Sequence, residues 1–173
     1  MELLKDRYSI RKYKDLQVDK KLIHKILEAM LSSPSGKNKK PWEFLAINDR
    51  DLIKGLAKAK KGGAQFLEGT HDAIVVLSLE EISDTWIEDA SIALTIGHLT
   101  AHDLGLGSCW IQIRNRENHD GPSEDFVKKY LDLPDGIRVV GLLSIGYPDE
   151  SPNREKTYDF QKVYHNKYGV KYE

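Results

Sequence analysis

The architecture of this chain is set by residues 87–113, which read IEDASIALTIGHLTAHDLGLGSCWIQI. In residues 87–104 apolar and small side chains recur at helical spacing in several directions, so no single face of the helix is polar. A helix that is apolar nearly all round is buried, either at the centre of a domain or in an interface between subunits. Gly105 and Gly107 end this helix, and residues 108–113 form a strand candidate. We therefore expect a buried central helix that leads directly into a strand.

Helices and strands alternate on both sides of that stretch. Asp19 and Asp49 each precede a run with helical spacing and predict where helices begin, and Pro122 is predicted to occupy the first position of another helix. Three further strands are predicted at residues 42–47, 73–79 and 137–145. The second of these runs is continuously apolar and rich in β-branched residues, which is typical of a central strand buried on both faces. The order of elements favours a three-layer α+β or α/β fold over a sandwich, with helices on both sides of a sheet.

Composition excludes several classes of protein. The 173 residues are 40% hydrophobic and 31% charged, with a formal net charge of −1, as in an ordinary globular protein and unlike a nucleic-acid-binding basic domain. A lone cysteine rules out an intramolecular disulfide and a Cys-only zinc site. Neither a secretory apolar region nor a run of about 18 apolar residues is present. We expect one domain over residues 1–173, cytoplasmic, without a membrane or nucleic-acid partner.

No common catalytic motif occurs: there is no Walker loop, no dinucleotide-binding glycine motif and no nucleophile elbow. Cys109 lies in an apolar strand, so we interpret it as a buried structural thiol. His98 and His102 have the i, i+4 spacing of a metal-binding pair on a helix. Because no third ligand follows in the sequence, we interpret both as packed or surface histidines and predict no metal site.

Two basic clusters are candidate anion sites. Arg7 and Arg11 flank Ser9 near the N-terminus, and Arg154 and Lys156 follow the last strand. Guanidinium groups form paired hydrogen bonds with phosphate, and the hydroxyl adds a further donor. Each cluster taken alone is also compatible with a solvated surface.

Residues 33–42, SPSGKNKKPW, form a polar loop between the first long helix and the first strand. Small residues and free backbone N–H groups allow such a loop to approach a flat polar ligand closely. The alternative is an ordinary Pro/Gly-rich connection.

Taken in order, four pieces of the chain resemble the nitroreductase family of FMN-dependent oxidoreductases. They are the Arg-x-Ser-x-Arg cluster, the 33–42 loop, the helix that carries Asp89 and runs into residues 104–111, and residues 145–148 followed by basic residues. Together they span nearly the whole chain.

The resemblance implies a nitroreductase-like fold with a central mixed or antiparallel sheet of four or five strands. It further implies an intertwined homodimer with FMN at the subunit interface. The polar and aromatic segment 149–173, here named the C-terminal arm, would pack on the partner subunit. Its tyrosines and Phe160 supply the apolar area for that contact.

The resemblance also implies which residues contact the cofactor. Arg7 and Ser9 would hold the FMN phosphate and ribityl chain, and Arg11 would lie beside N1 and O2 of the ring as electrostatic support. Residues of the 33–42 loop would approach the ring from the partner chain. The complete set is Arg7, Tyr8, Ser9, Arg11, Pro34, Ser35, Asn38, Ile111, Gln112, Arg154 and Lys156.

The activity implied is transfer of a hydride from NADH or NADPH through FMN to a nitroaromatic, quinone or similar small-molecule acceptor, by a ping-pong mechanism. No side-chain acid or base is required, because the flavin supplies the redox chemistry. Reductive dehalogenation, flavin destruction, a non-catalytic flavin-binding or storage role, and a plain interaction module are the alternatives.

Overall fold

The computed structural model describes residues 2–152 and 155–172. Its α-helices in this part of the chain are α1 (Glu2–Asp6), α2 (Lys20–Leu31), α3 (Arg50–Leu56), α4 (Trp86–Asp103) and α5 (Ser123–Tyr130). Its strands are β1 (Trp42–Ile47), β2 (Asp72–Leu79), β3 (Gly107–Gln112) and β4 (Ile137–Gly146). Short 3-10 turns lie at Gly36–Asn38, Ala57–Ala59, Gln65–Gly69 and Phe160–Lys162.

The four strands form one antiparallel sheet in the order β1-β2-β4-β3. The pairing of β2 with β4 shifts register between Val76 and Leu77, where Val76 lies opposite Gly141. A Cβ at Gly141 would come within 2.8 Å of the Ile111 carbonyl oxygen on the other neighbouring strand. The expected α+β sheet is therefore confirmed, with all pairs antiparallel.

Helices cover both faces of the sheet, as the continuous apolar run of β2 predicts. Side chains alternate across a strand, and Val75 and Leu77 accordingly pack into one buried cluster with α3 and α5. Ile74 and Val76 pack into a second cluster with α2 and α4. The result is the three-layer arrangement inferred from the sequence.

Side-chain caps fix the predicted helix starts. Asp19 accepts a hydrogen bond from the Lys21 N–H, and Asp49 accepts from the first turn of α3. Pro122 precedes α5 in an extended conformation instead of occupying its first turn, so the helix begins one residue later than predicted. Helix α4 begins one residue earlier than predicted.

Helix α4 is covered on one face only within the chain. Its alanines, Leu94, Gly97 and His98 are buried against α2 and the sheet. On the opposite face Ile92 is 39% exposed, and Ile96 and Leu99 are half-buried. These three side chains form a partly exposed apolar stripe along α4. Among the described helices, none is long and apolar enough to cross a membrane.

An extended segment, residues 7–14, here named the strap, runs from α1 along the end of the sheet. Ser9 pairs with Ser108 of β3, and Tyr13 pairs with Pro148 just after β4. In the C-terminal arm the described residues carry a bridge between Tyr164 and Lys171. Its aromatic side chains are largely exposed in the single chain: Tyr158, Phe160, Tyr168 and Tyr172.

Candidate functional site

One cavity gathers five of the predicted cofactor residues. Its volume is about 540 Å³, and four of the five come from the strap while the fifth comes from the C-terminal arm. They are Arg7, Tyr8, Ser9, Arg11 and Lys156. Residues 150–152 complete the wall. The two basic clusters, about 145 residues apart in the chain, thus meet at one place because the strap lies beside the end of β4.

The strap is fixed by backbone pairing and close packing. The Ile10 N–H donates to the Ser108 carbonyl at 2.9 Å, and the Ile10 side chain lies directly over Gly107. A Cβ at Gly107 would come within 2.8 Å of Ile10, so this approach requires glycine. The Tyr13 hydroxyl donates to the Ile10 carbonyl at 2.5 Å and lies 2.7 Å from the Ser144 hydroxyl. Burial raises the pKa of Tyr13 well above its ordinary value, which keeps this donor protonated.

The cavity is positively charged. The Arg7 guanidinium donates to the His98 imidazole at 2.6 Å. The Lys156 ammonium donates to the backbone carbonyls of Leu4 and Arg7, and lies 4.9 Å from the centre of the Tyr8 ring. Within the described residues neither cation forms an ion pair with a carboxylate. Their charges are therefore available to an anionic ligand.

Glu150 shares the cavity wall but binds the strap backbone. Its carboxylate accepts from the Arg11 N–H at 2.5 Å and from the Lys12 N–H at 3.1 Å. The Arg11 guanidinium points elsewhere, 5.9 Å from the centre of the Phe66 ring. Glu150 thus fixes the position of Arg11 and leaves the guanidinium unpaired.

The 33–42 loop is anchored on α4 by a buried carboxylate. The Gly36 N–H donates to Asp89 at 2.8 Å, and the hydroxyls of Ser83 and Thr85 donate to the other Asp89 oxygen at 3.2 and 3.1 Å. Asp89 is buried, so these three donors compensate for its lost hydration. Asn38 has a φ of 55°, in the left-handed region that asparagine tolerates better than most residues.

The loop does not reach the Arg7 cavity of its own chain. Its anchor, Asp89, and the Arg7 partner, His98, are nine residues apart on α4, which is about 14 Å along the helix axis. Pro34 and Asn38 are exposed and Ser35 is half-buried, away from the cavity wall. Within one chain these loop residues therefore lie away from the Arg7 cavity, and their contact with a site in the partner chain stays a prediction.

The three remaining predicted cofactor contacts are Ile111, Gln112 and Arg154. Ile111 is buried on β3. The Gln112 amide accepts from the Trp110 indole at 3.0 Å and donates to the Arg114 carbonyl at 2.9 Å. Neither residue lines the cavity. Arg154 lies outside the described residues.

Cys109 is buried beside the site. Burial raises the pKa of its thiol, while the Arg11 guanidinium and the Ser9 hydroxyl act in the opposite direction. A protonated, buried thiol is a poor nucleophile. The interpretation of Cys109 as a structural residue is therefore supported.

Sequence reasoning missed three residues that support the site. His98 was assigned no role beyond packing, Asp89 was noted only as part of a motif, and Glu150 was not singled out. Each acts on a segment far away in sequence, at separations of 91, 53 and 139 residues. Their only sequence signal is a polar side chain in a predominantly apolar or turn-forming context.

Comparison with known families, proteins and solved structures identifies several proteins similar to this chain. The profile of the nitroreductase family matches residues 4–98 and 60–147. A solved structure of an FMN-dependent nitroreductase from Clostridium difficile is 42% identical, with a TM-score of 0.92, over 96% of this chain and 98% of that one. A protein of Archaeoglobus fulgidus with the provisional name NADH dehydrogenase/NAD(P)H nitroreductase is 34% identical over 87% of this chain and 86% of its own. A protein of the same provisional name from Methanothermobacter thermautotrophicus is 31% identical over 97% and 87%.

The fold and the cationic strap define an oxidoreductase of the flavin-dependent α+β class. The chain belongs to the nitroreductase family.

Proposed function

We propose that this protein is a homodimeric FMN-dependent oxidoreductase that takes a hydride from NADH or NADPH and reduces a nitroaromatic, quinone or similar acceptor by a ping-pong mechanism. The observation that carries the proposal is the cavity lined by Arg7, Arg11 and Lys156, in which neither the Arg7 nor the Lys156 cation forms an ion pair with a carboxylate among the described residues. The names of the similar proteins, an FMN-dependent nitroreductase and NAD(P)H nitroreductases, support the same cofactor and donors.

The residues present fit the phosphate end of FMN. Arg7 offers guanidinium donors, Ser9 a hydroxyl, and Lys156 a point charge on the same cavity. Guanidinium and ammonium groups without carboxylate partners favour a phosphate dianion over a neutral ligand. Tyr8 contributes an aromatic wall beside Lys156.

When bound, FMN supplies the redox chemistry by accepting a hydride and passing electrons to the acceptor. Arg11 places a fixed positive charge near the ring, where negative charge accumulates on reduction. Glu150 holds the Arg11 backbone through two N–H groups, so that this charge is positioned before the ligand arrives. The backbone of Ile111 and Gln112 on the edge strand β3 is proposed to face the ring.

A two-fold dimer would bring the separated parts of the site together. The uncovered stripe of α4 is centred between Thr95 and Ile96. If two copies of α4 pair antiparallel about that point, Asp89 of one chain lies opposite His102 of the other, one turn from His98. The 33–42 loop, anchored on Asp89, is then carried to the Arg7 cavity of the partner.

The C-terminal arm supports the same assembly. Its exposed aromatics have no core to enter within their own chain, and burial of such side chains on a partner is favourable. Lys156 of the arm donates to the Arg7 carbonyl of the strap. We therefore propose that the arm runs from the cavity of one chain to the surface of its partner.

The test is the visible absorption spectrum of the purified protein with FMN, followed by anaerobic addition of NADH and, separately, NADPH. The proposal predicts oxidised-flavin bands that bleach with one or both donors and return when a quinone or nitroaromatic acceptor is added. Arg11→Ala is expected to slow bleaching by about tenfold or more, because the fixed charge near the ring is removed.

Two results would contradict the proposal. Bands that neither donor bleaches would indicate a flavin-binding or storage protein. A protein that remains colourless after incubation with FMN would exclude flavin function altogether.

A further inference from the structure

The Arg7 guanidinium is oriented by a neutral acceptor inside the protein. His98, in the fourth turn of α4, is buried, and its Nε2 lies 2.6 Å from Nη1 of Arg7. Arg7 comes from the strap, so this contact joins the strap to the longest helix. It holds one nitrogen of the guanidinium, while Arg7 also lines the cavity and has further N–H donors.

The hydrogen bond from Arg7 defines which imidazole nitrogen carries the proton. A guanidinium can only donate, so Nε2 is the unprotonated acceptor and the proton of the neutral ring is on Nδ1. Nδ1 lies 2.5 Å from the Ser108 hydroxyl oxygen and donates to it, and that hydroxyl donates to the His98 carbonyl at 3.4 Å. Ser108 is itself paired with the strap at Ser9.

This arrangement requires an uncharged imidazole. The titratable groups that face His98 are Arg7 from the strap and His102 from the next turn of α4, and β3 presents only the Ser108 hydroxyl. Burial, together with the Arg7 and His102 charges, lowers the pKa of His98 to about 4. A carboxylate in this place would also orient Arg7, but it would neutralise the charge that an anionic ligand needs. A neutral histidine orients the guanidinium and leaves its charge uncompensated.

We propose that His98 is a positioning residue that aims Arg7 at the phosphate of the flavin cofactor. The inference rests on the proposed function, since it takes that phosphate as the ligand of the strap cavity. His98 itself does not touch the ligand. It makes the site selective for a phosphorylated flavin over the unphosphorylated one, because only the former engages Arg7.

The experiment compares dissociation constants for FMN and riboflavin, measured by quenching of flavin fluorescence on binding to the apoprotein. His98→Leu is expected to weaken FMN binding by about tenfold and to leave riboflavin binding unchanged, because one charge-assisted contact is misaligned. His98→Gln retains an acceptor and is expected to recover part of the loss. His24→Leu changes an exposed histidine of α2 that pairs with Glu28 and is the matched control, expected to retain the wild-type ratio.

Two further measurements distinguish positioning from a structural effect. In the His98→Leu background, Arg7→Ala is expected to add little further loss, since residues that act as a unit are non-additive. In the wild-type apoprotein, imidazole nitrogen shifts should report an unprotonated Nε2 and a neutral ring down to about pH 4.

An unchanged ratio of FMN to riboflavin affinity in His98→Leu would overturn the positioning role while the flavin function stands. Equal losses for both flavins would likewise overturn it, because they would indicate general damage to the site. If the wild-type protein binds neither flavin, the proposed function itself fails and the inference fails with it.

Discussion

Asp89 determines the conformation of a loop that lies 53 residues earlier in the chain. Its buried carboxylate accepts the Gly36 N–H and two hydroxyl groups, so the loop is fixed to the first turn of α4. The sequence identifies Gly36 as a loop residue but gives no reason why glycine is required. That reason is the neighbouring Thr85 hydroxyl, which a Cβ at Gly36 would overlap.

Gly36→Ala is therefore expected to displace Thr85 from Asp89 and to lower the free energy of unfolding by about 1–3 kcal/mol. The amount of flavin that the purified variant retains should fall as well, because the loop then no longer holds Asn38 in its wild-type position. Urea denaturation and flavin content of the purified variant measure the two effects.

Gly62→Ala is the matched control, because nothing lies within 4 Å of a Cβ there. Adding Thr85→Ala to Gly36→Ala should restore part of the lost stability by removing the overlap. An equal loss of stability in the two glycine variants would contradict the steric explanation.

At the level of elements, helices α2 to α5 and all four strands are predicted from the sequence. The Asp19 and Asp49 caps indicate where α2 and α3 begin, and the continuous apolar run indicates β2. Helix α1 was missed because five residues are too short for a periodic pattern. The start of α5 was misplaced because Pro122 is compatible with both the first turn and the position before it.

A cluster of charged groups around Arg138 joins α5 to β4, and no sequence pattern pointed to it. Arg138 donates to both Glu124 oxygens at 2.7 and 3.1 Å and to Glu80 at 2.5 Å. Its guanidinium lies 4.9 Å from the centre of the Trp86 ring at the start of α4. The pairing depends on tertiary structure, since Glu124 and Arg138 are 14 residues apart on different elements.

Glu124→Gln is expected to lower the free energy of unfolding by about 2 kcal/mol at neutral pH. Burial alone would raise the pKa of Glu124, but hydrogen bonds from Arg138 and the Val139 N–H outweigh it and lower the pKa. A lowered folded-state pKa stabilises the protein above the ordinary glutamate value, and this stabilisation is lost as the pH falls through the lowered pKa.

The difference in the free energy of unfolding between the wild type and Glu124→Gln should therefore become smaller as the pH is lowered from neutral to about pH 3. Urea denaturation measures this difference. Glu117→Gln breaks the exposed pair with Lys61 and serves as the control, with little expected change at either pH. A Glu124→Gln difference that stays constant with pH would contradict the assigned role of the carboxylate.

At the scale of the whole molecule, the resemblance implied both the family and a site shared by two chains, but the residues alone did not show which groups meet. Arg7, Ser9 and Lys156 meet in one chain, whereas Asn38 lies on a loop anchored far from them along α4. Motif order alone cannot specify which groups meet, because that depends on the strap pairing with β3 and on how the uncovered stripe of α4 is covered. Two chains are proposed to build each flavin site.

The direct test is the flavin content of a heterodimer assembled from two variants. One chain carries Arg7→Ala and Arg11→Ala, which remove the cations of the strap. The other carries Asn38→Asp, which tolerates the positive φ but replaces the amide donor with a carboxylate. The chains are co-expressed with different affinity tags and purified by both tags in succession, with each variant homodimer as a control.

If the strap of one chain and the loop of its partner form each site, one of the two sites in the heterodimer has every wild-type residue. The heterodimer should then retain about half the flavin of the wild-type dimer, while both homodimers retain little. If each site lies within a single chain, every site in the heterodimer carries a defect. Flavin content as low as in the homodimers would therefore contradict the two-chain site.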